Sequence, residues 1–223
     1  MKRRFVLAWW TSLLLPCAFG APAADPFAHP VTDQAQLRAA LSRPAAKLQK
    51  AQVLEGEFQH SRHLREIPRP LIATGGFTFV RDLGVYWHTR VPFDSVVMLT
   101  SAGLTQSDEG GAPQRISASE QPAVRLIANI FMSLFTLDTR SLGRDFDLYG
   151  GPQGDRWIIG LRPRNKAIAG VFREATVSGA EDVEQVVLID AQGDRTVIDL
   201  RAITYSSEAP GANVRSLFAP AKP

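Results

Sequence analysis

From residue 53 onward the chain alternates. Leu54, Gly56 and Phe58 fall on one side of an extended segment, Glu55, Glu57 and Gln59 on the other, the period of a half-buried strand. Similar strand signals recur over residues 72–80, 85–89 and 94–100, with Arg81-Asp82-Leu83-Gly84 as a turn between the first two. Pro68 and Pro70 mark a turn or an edge strand. A polar loop follows at 107–113. After Gly143 the strand pattern returns at 145–149, 157–162, 172–178, 183–189 and 195–205, separated by turn residues at 150–154, 179–182 and 190–194.

Two segments carry the helical period instead. Thr32 or Asp33 can cap a first helix through its side-chain oxygen, with Leu37, Ala40 and Leu41 on one face and Pro44 limiting it. A further turn fits 45–50, and another 165–169. The second helix spans 120–135, with Pro122 in its first turn and Val124, Ile127, Ile130, Phe131, Leu134 and Phe135 as a wide apolar stripe. Leu126 and Met132 widen the stripe further. Such a helix must be buried or must cover something apolar. No periodicity is visible after Ser206, so 207–223 reads as a loose tail.

Many short strands joined by hairpin turns, with one leading and one inserted helix, predict an α+β domain. Its antiparallel sheet curls around the helices. Regular helix–strand alternation is absent, which disfavours a parallel sheet. Residues 32–206 are expected to form one domain with one core.

The first 20 residues read as a cleaved signal peptide. Lys2, Arg3 and Arg4 precede an apolar run from Phe5 to Leu15, and Ala18-Phe19-Gly20 offers a cleavage site. The run is too short to span about 30 Å of hydrocarbon. Residues 21–31 form an Ala- and Pro-rich lead-in. Cys17 is the one cysteine and leaves with the signal, excluding disulfides and thiol chemistry from the mature chain. Loss of Lys2, Arg3 and Arg4 takes Lys+Arg from 25 to 22, against 22 Asp+Glu. The mature protein is then formally neutral, with no basic footprint for nucleic acid. Export across a membrane is expected.

Candidate chemistry is sparse. Glu57, His60 and His63 would suit a metal on a helix. On a strand, His60 points away from the other two, and Glu57 lies roughly 20 Å from His63. No metal site or cofactor is expected. No G-x-S-x-G elbow occurs. Gly75-Gly76 and Gly150-Gly151 do not open a helix with a Lys and Ser/Thr behind them, so they read as bulges or bends. No catalytic residue stands out, and the chain is not expected to be an enzyme.

The order of features over 54–104 resembles the LolA family, carriers that ferry lipoproteins between bacterial membranes. Phe58-Gln59, Gly75-Gly76, Phe77, Phe79, Arg81-Asp82, Tyr86-Trp87, Val91-Pro92 and Val96-Val97-Met98-Leu99 carry the resemblance. It implies an incomplete, half-open antiparallel β-barrel of about ten or eleven strands with helices covering its concave face. The lipid-binding cavity would be lined by Phe58, Phe77, Phe79, Trp87, Ile127, Ile130, Phe131 and Leu134. Arg81 matches the family's basic residue that latches the helical lid. Acylated lipoprotein or another lipid is the implied cargo, with an inner-membrane donor complex and an outer-membrane acceptor as partners. A monomer is expected. Asp82 stands where the family often has proline, Val85 stands for a bulkier residue, and no long C-terminal extension is evident, features of a divergent branch. The alternative is a non-catalytic periplasmic interaction or sensor module in which the same aromatics form a solid core.

Overall fold

A computed structural model describes residues 25–109 and 111–219; the side chains at 122, 123, 125–127 and 129 fall outside that description. The segment read as a signal peptide, Cys17 included, and residues 21–24 of the lead-in also lie outside it; the rest of the lead-in is described, with a 3-10 turn at Pro26–Ala28 and Pro30 bridged to Tyr149.

Strand β1 (Val53–His63) runs through the middle of an eleven-stranded antiparallel sheet. On one side it pairs with β2 (Leu71–Val80), followed outward by β3 (Gly84–Val91), β4 (Ser95–Thr100), β5 (Gly103–Asp108) and β6 (Gln114–Ser117). On the other it pairs with β11 (Arg195–Ser206), followed by β10 (Val183–Asp190), β9 (Phe172–Gly179), β8 (Arg156–Pro163) and β7 (Phe146–Gln153). The two edges, β6 and β7, do not pair, so the barrel stays open. The chain passes from one edge to the other through α3 (Pro122–Phe135) and α4 (Thr139–Asp145).

Reciprocal glycine–aromatic pairs occupy the concave side of the central strands. Gly56 of β1 lies opposite Phe77, and Phe58 of β1 opposite Gly75 of β2. A methyl at Gly56 would meet the Phe77 ring at 2.7 Å, and one at Gly75 would meet the Phe58 ring at 2.8 Å. Each glycine leaves room for the ring facing it, as close cross-strand packing requires.

Helices α1 (Gln34–Ala40) and α2 (Ser42–Lys50) bury Leu37, Leu41 and Leu48 in the main core beside Leu54 and Phe79. Asp33 caps α1, its carboxylate accepting from Ala35 N at 2.7 Å. Pro44 lies inside α2 rather than ending the preceding helix; in a first turn its missing N–H costs nothing. Asn165 caps the single turn α5 (Lys166–Ala169).

Four elements are not visible in the periodicity. Strands β5 and β6 are short and polar, and α4 has only Thr139 and Leu142 buried. The tail carries a short helix, α6 (Ala212–Leu217), with no buried residue; Phe218 beyond it meets Tyr86 edge-on at 6.4 Å. Elements with so little buried surface leave little pattern.

Candidate functional site

Between α3 and the β8–β11 half of the sheet lies an apolar cavity of about 170 Å³. Register explains its wall. Leu161, Ala175 and Leu188 are successive cross-strand partners on β8, β9 and β10, and Val186 lies opposite Ile198 on β11. Directly opposed residues point to the same face, so these aliphatic side chains line up beneath the helix. From above, α3 contributes Ile130, Phe131, Leu134 and Phe135, while Trp87 closes the side toward β3. Val171, at 49% exposure, opens the cavity to solvent. Among the described residues every lining side chain is apolar, and none of them is an acid, base or nucleophile.

The residues expected as lining divide into two sets. Trp87, Ile130, Phe131 and Leu134 border the cavity. Phe58, Phe77 and Phe79 do not; they are buried behind it. Phe58 stacks on Trp87 at 3.9 Å between centroids, and Phe77 and Phe79 meet Phe135 at 5.5 and 5.2 Å. The physical reason is volume: on the β1–β3 half, rings fill the concave side and support Trp87 and Phe135, two of the four aromatics that face the hollow. The side chain of Ile127 lies outside the described residues. Leu161, Ala175, Val186, Leu188, Ile198 and Leu200 were missing from the expectation, although their alternation with polar neighbours was a usable signal.

The cavity roof is held by apolar packing. Toward its start, α3 sets Val124, Ala128 and Phe131 against Leu99, Leu104 and Ile116. Toward its end, Ile130, Met132, Leu134 and Phe135 join the main core. No side chain caps its N-terminus, in contrast to α1, α4 and α5. It ends at Phe135, and just beyond its C-cap Thr136 lies Leu137, which is 3% exposed and adopts φ +48°, an unusual conformation for a bulky residue.

Arg81 grips a different helix. Its Nε donates to Ala51 O at 3.0 Å, and its Nη2 contacts Leu48 O at 2.7 Å, Gln49 O at 2.8 Å and Ala51 O at 2.8 Å. These are the carbonyls left open where α2 ends, which a guanidinium satisfies well. Asp82 forms no ion pair with Arg81 among the described residues. A second polar contact holds α2 at Lys47, whose Nζ reaches Asp182 Oδ1 at 2.7 Å and sits 4.2 Å over the Tyr205 ring. Tyr205 donates its hydroxyl to the same oxygen at 2.6 Å. Burial, then that hydrogen bond and the Asp182 charge, push the Tyr205 pKa upward.

The central histidines are spread along β1. Glu57 faces Arg90 at 3.7 Å, His63 is exposed, and His60 is half-buried opposite Ile198 and Ala73. Burial, and secondarily the Arg62 charge, lower the His60 pKa.

Residues 49–212 match the family model described as outer membrane lipoprotein carrier protein LolA. Among solved structures, a LolA superfamily protein from Nitrosomonas europaea is similar at 9% identity and TM-score 0.46, covering 83% of this chain and 98% of that one. A Vibrio parahaemolyticus domain with a provisional outer membrane lipoprotein-sorting name is similar at 8% identity and TM-score 0.43, covering 83% and 99%. A DUF1329 family protein from Desulfovibrio piger follows at 11% identity and TM-score 0.41, covering 77% and 93%. No curated protein matches the chain. The family match spans most of the described residues, and on it the chain belongs to the LolA family of outer membrane lipoprotein carrier proteins.

Proposed function

We propose that this protein is a periplasmic carrier that shields acyl chains of a lipoprotein or related lipid and hands them toward the outer membrane. The observation that carries this reading is the wholly apolar hollow roofed by α3, in a chain of the LolA family. It binds and releases; no bond is made or broken. Residues 32–206 act as the carrier domain, reached after removal of residues 1–20.

The size of the hollow constrains the mechanism. About 170 Å³ is close to the ~150 Å³ apolar cavity that takes a benzene-sized guest. A chain of about 15 carbons needs more room, so α3 must swing outward to admit it. Burying such a chain is worth roughly 12 kcal/mol at about 0.8 kcal/mol per methylene, which corresponds to about nanomolar binding. Displacing α3 uncovers Ile130, Leu134 and Phe135, and that cost offsets part of the gain, making release possible. Arg81 fixes α2 and the start of β1 as the stationary frame against which α3 moves.

Native mass spectrometry of the protein isolated from its own periplasm tests occupancy and cargo together. A bound amphiphile is expected in the wild type and absent from Phe131→Glu, with both showing the same circular-dichroism spectrum. An empty wild type, or unchanged loading of the variant, would favour the interaction-module reading.

A further inference from the structure

Beyond the hollow, on the outer side of α3, three arginines converge. Arg38 of α1 and Arg140 and Arg144 of α4 line a cleft of about 710 Å³ between the two helical segments, together with Ser42 and Gln49. The only acidic side chain in its lining is Asp138, and that carboxylate is already engaged. Its Oδ1 accepts from Arg140 N at 3.1 Å and Ser141 N at 3.2 Å, and its Oδ2 from Ser141 Oγ at 2.6 Å. Three guanidinium groups against one carboxylate leave a surplus of two positive charges in a concave site. Among the described residues Arg38, Arg140 and Arg144 enter no direct ion pair, and Arg144 reaches Asp138 only through Ser141, to whose Oγ its Nη2 donates at 3.3 Å. Arg62, Arg90, Arg156, Arg162 and Arg164 each stand against a carboxylate, whereas other exposed arginines such as Arg43 and Arg173 do not; what sets these three apart is that they share one cleft.

The cleft is also separated from the hollow by a single intervening cleft. A second cleft of about 330 Å³ lies between α3 and α4 and is bordered by both Ile130 and Arg144. Ile130 forms part of the apolar cavity wall, and Arg144 part of the arginine cleft. The apolar hollow, this intervening cleft, which also carries Asp145, and the arginine cleft therefore adjoin in that order. That sequence of environments matches an amphiphile with an acyl tail and an anionic head.

We infer that Arg38, Arg140 and Arg144 form a subsite for the phosphate-bearing headgroup of a lipid whose acyl chain occupies the apolar hollow. The inference rests on the carrier reading above and adds the class of headgroup. Planar guanidinium groups bind phosphate oxygens by paired, charge-assisted hydrogen bonds. In a concave site such contacts strengthen affinity and orient the lipid tail-first toward Ile130. An acidic peptide would be drawn by the same charge but would not use the adjoining apolar hollow.

Isothermal titration with two probes sharing one acyl chain tests this: 1-palmitoyl lysophosphatidylglycerol and monopalmitoylglycerol. The wild type should bind the phosphorylated probe roughly tenfold more tightly, a margin that shrinks as salt rises. R38Q/R140Q/R144Q, checked for an unchanged melting temperature, should lose that margin and retain its affinity for monopalmitoylglycerol. Equal binding of the two probes by the wild type, or a margin surviving in the triple variant, would overturn the assignment. Glycerol phosphate that binds as tightly as the lysolipid would overturn the lipid source and leave a free-phosphate site. If neither amphiphile binds, the carrier reading fails; glycerol phosphate bound by the wild type but not the variant would then retain the anion site, and no binding would remove it.

Discussion

The two halves of the concave face are built on the same pleat from different side chains. On β1–β3, Phe58, Phe77 and Phe79 are stacked and buried at 3%, 3% and 0% exposure, and none of them borders the cavity. On β8–β11, Leu161, Ala175, Val186, Leu188, Ile198 and Leu200 face a cavity. The aromatic half is a solid support, and the aliphatic half is the part with room for a guest. The division between structural core and candidate binding surface runs along the middle of one sheet.

Removing side chains from the two halves should therefore have unequal costs. Phe79→Ala leaves a fully packed site that cannot collapse and should cost about 3–5 kcal/mol. Leu188→Ala, on a half-buried residue already bordering space, should cost about 2 kcal/mol or less. Urea midpoints of the two variants measure the difference, and equal losses would erase the distinction between the halves. Arg81→Leu comes next. It strands the carbonyls of Leu48 and Ala51 at about 1–3 kcal/mol, since these part-buried acceptors lose their donor, while the exposed Gln49 carbonyl turns to water. Hydrogen exchange should quicken across the end of α2. Faster exchange confined to α3 would instead make Arg81 a latch on the cavity roof.

The outline of this division was legible in the sequence, but its location was not. The alternation at Leu54–Phe58 and the apolar stripe at Ile130, Phe131 and Leu134 correctly gave strand and covering helix, because burial of one face imposes a period. The aromatics drew attention as lining because they are the largest apolar groups. Size is also what makes them fill space, and whether a ring lines a cavity or plugs it depends on what faces it across the sheet. Gly56 and Gly75 show this: each glycine receives a phenyl ring, a pairing set by the β1–β2 register. Arg81 was expected as a lid latch through the family resemblance, and only the folded chain shows its hydrogen bonds ending on α2. The Lys47–Asp182–Tyr205 contact joins residues too distant in sequence to leave a local pattern.

If the aliphatic half is where a guest resides, filling it should abolish binding without harming the fold. Ala175→Phe places a ring into about 170 Å³ of apolar space from a residue that is 3% exposed. Filling a cavity commonly adds about 0.5–2 kcal/mol when the new side chain finds a rotamer that fits. The expected result is a melting temperature at or above that of the wild type, with displacement of a palmitoyl probe lost. A folded variant that still binds the probe would place the guest elsewhere.

His60 offers the finest probe because it stands on the boundary, opposite Ile198 of the aliphatic half and Ala73 of β2. Burial, then the Arg62 charge, hold its folded-state pKa below the ordinary 6.5. Above 6.5 the imidazole is neutral in both folded and unfolded chains, so its full contribution to stability is present. As pH falls below 6.5 the unfolded chain takes up a proton first, and stability is lost until the lowered folded-state value has been passed. His60→Gln should remove this step, so that wild type and variant diverge between pH 7.5 and 5 in the pH dependence of their urea midpoints. A guest that dries the boundary further should lower the folded pKa again, extending the loss to lower pH. An unchanged titration on loading would mean that the guest leaves this edge of the aliphatic half untouched.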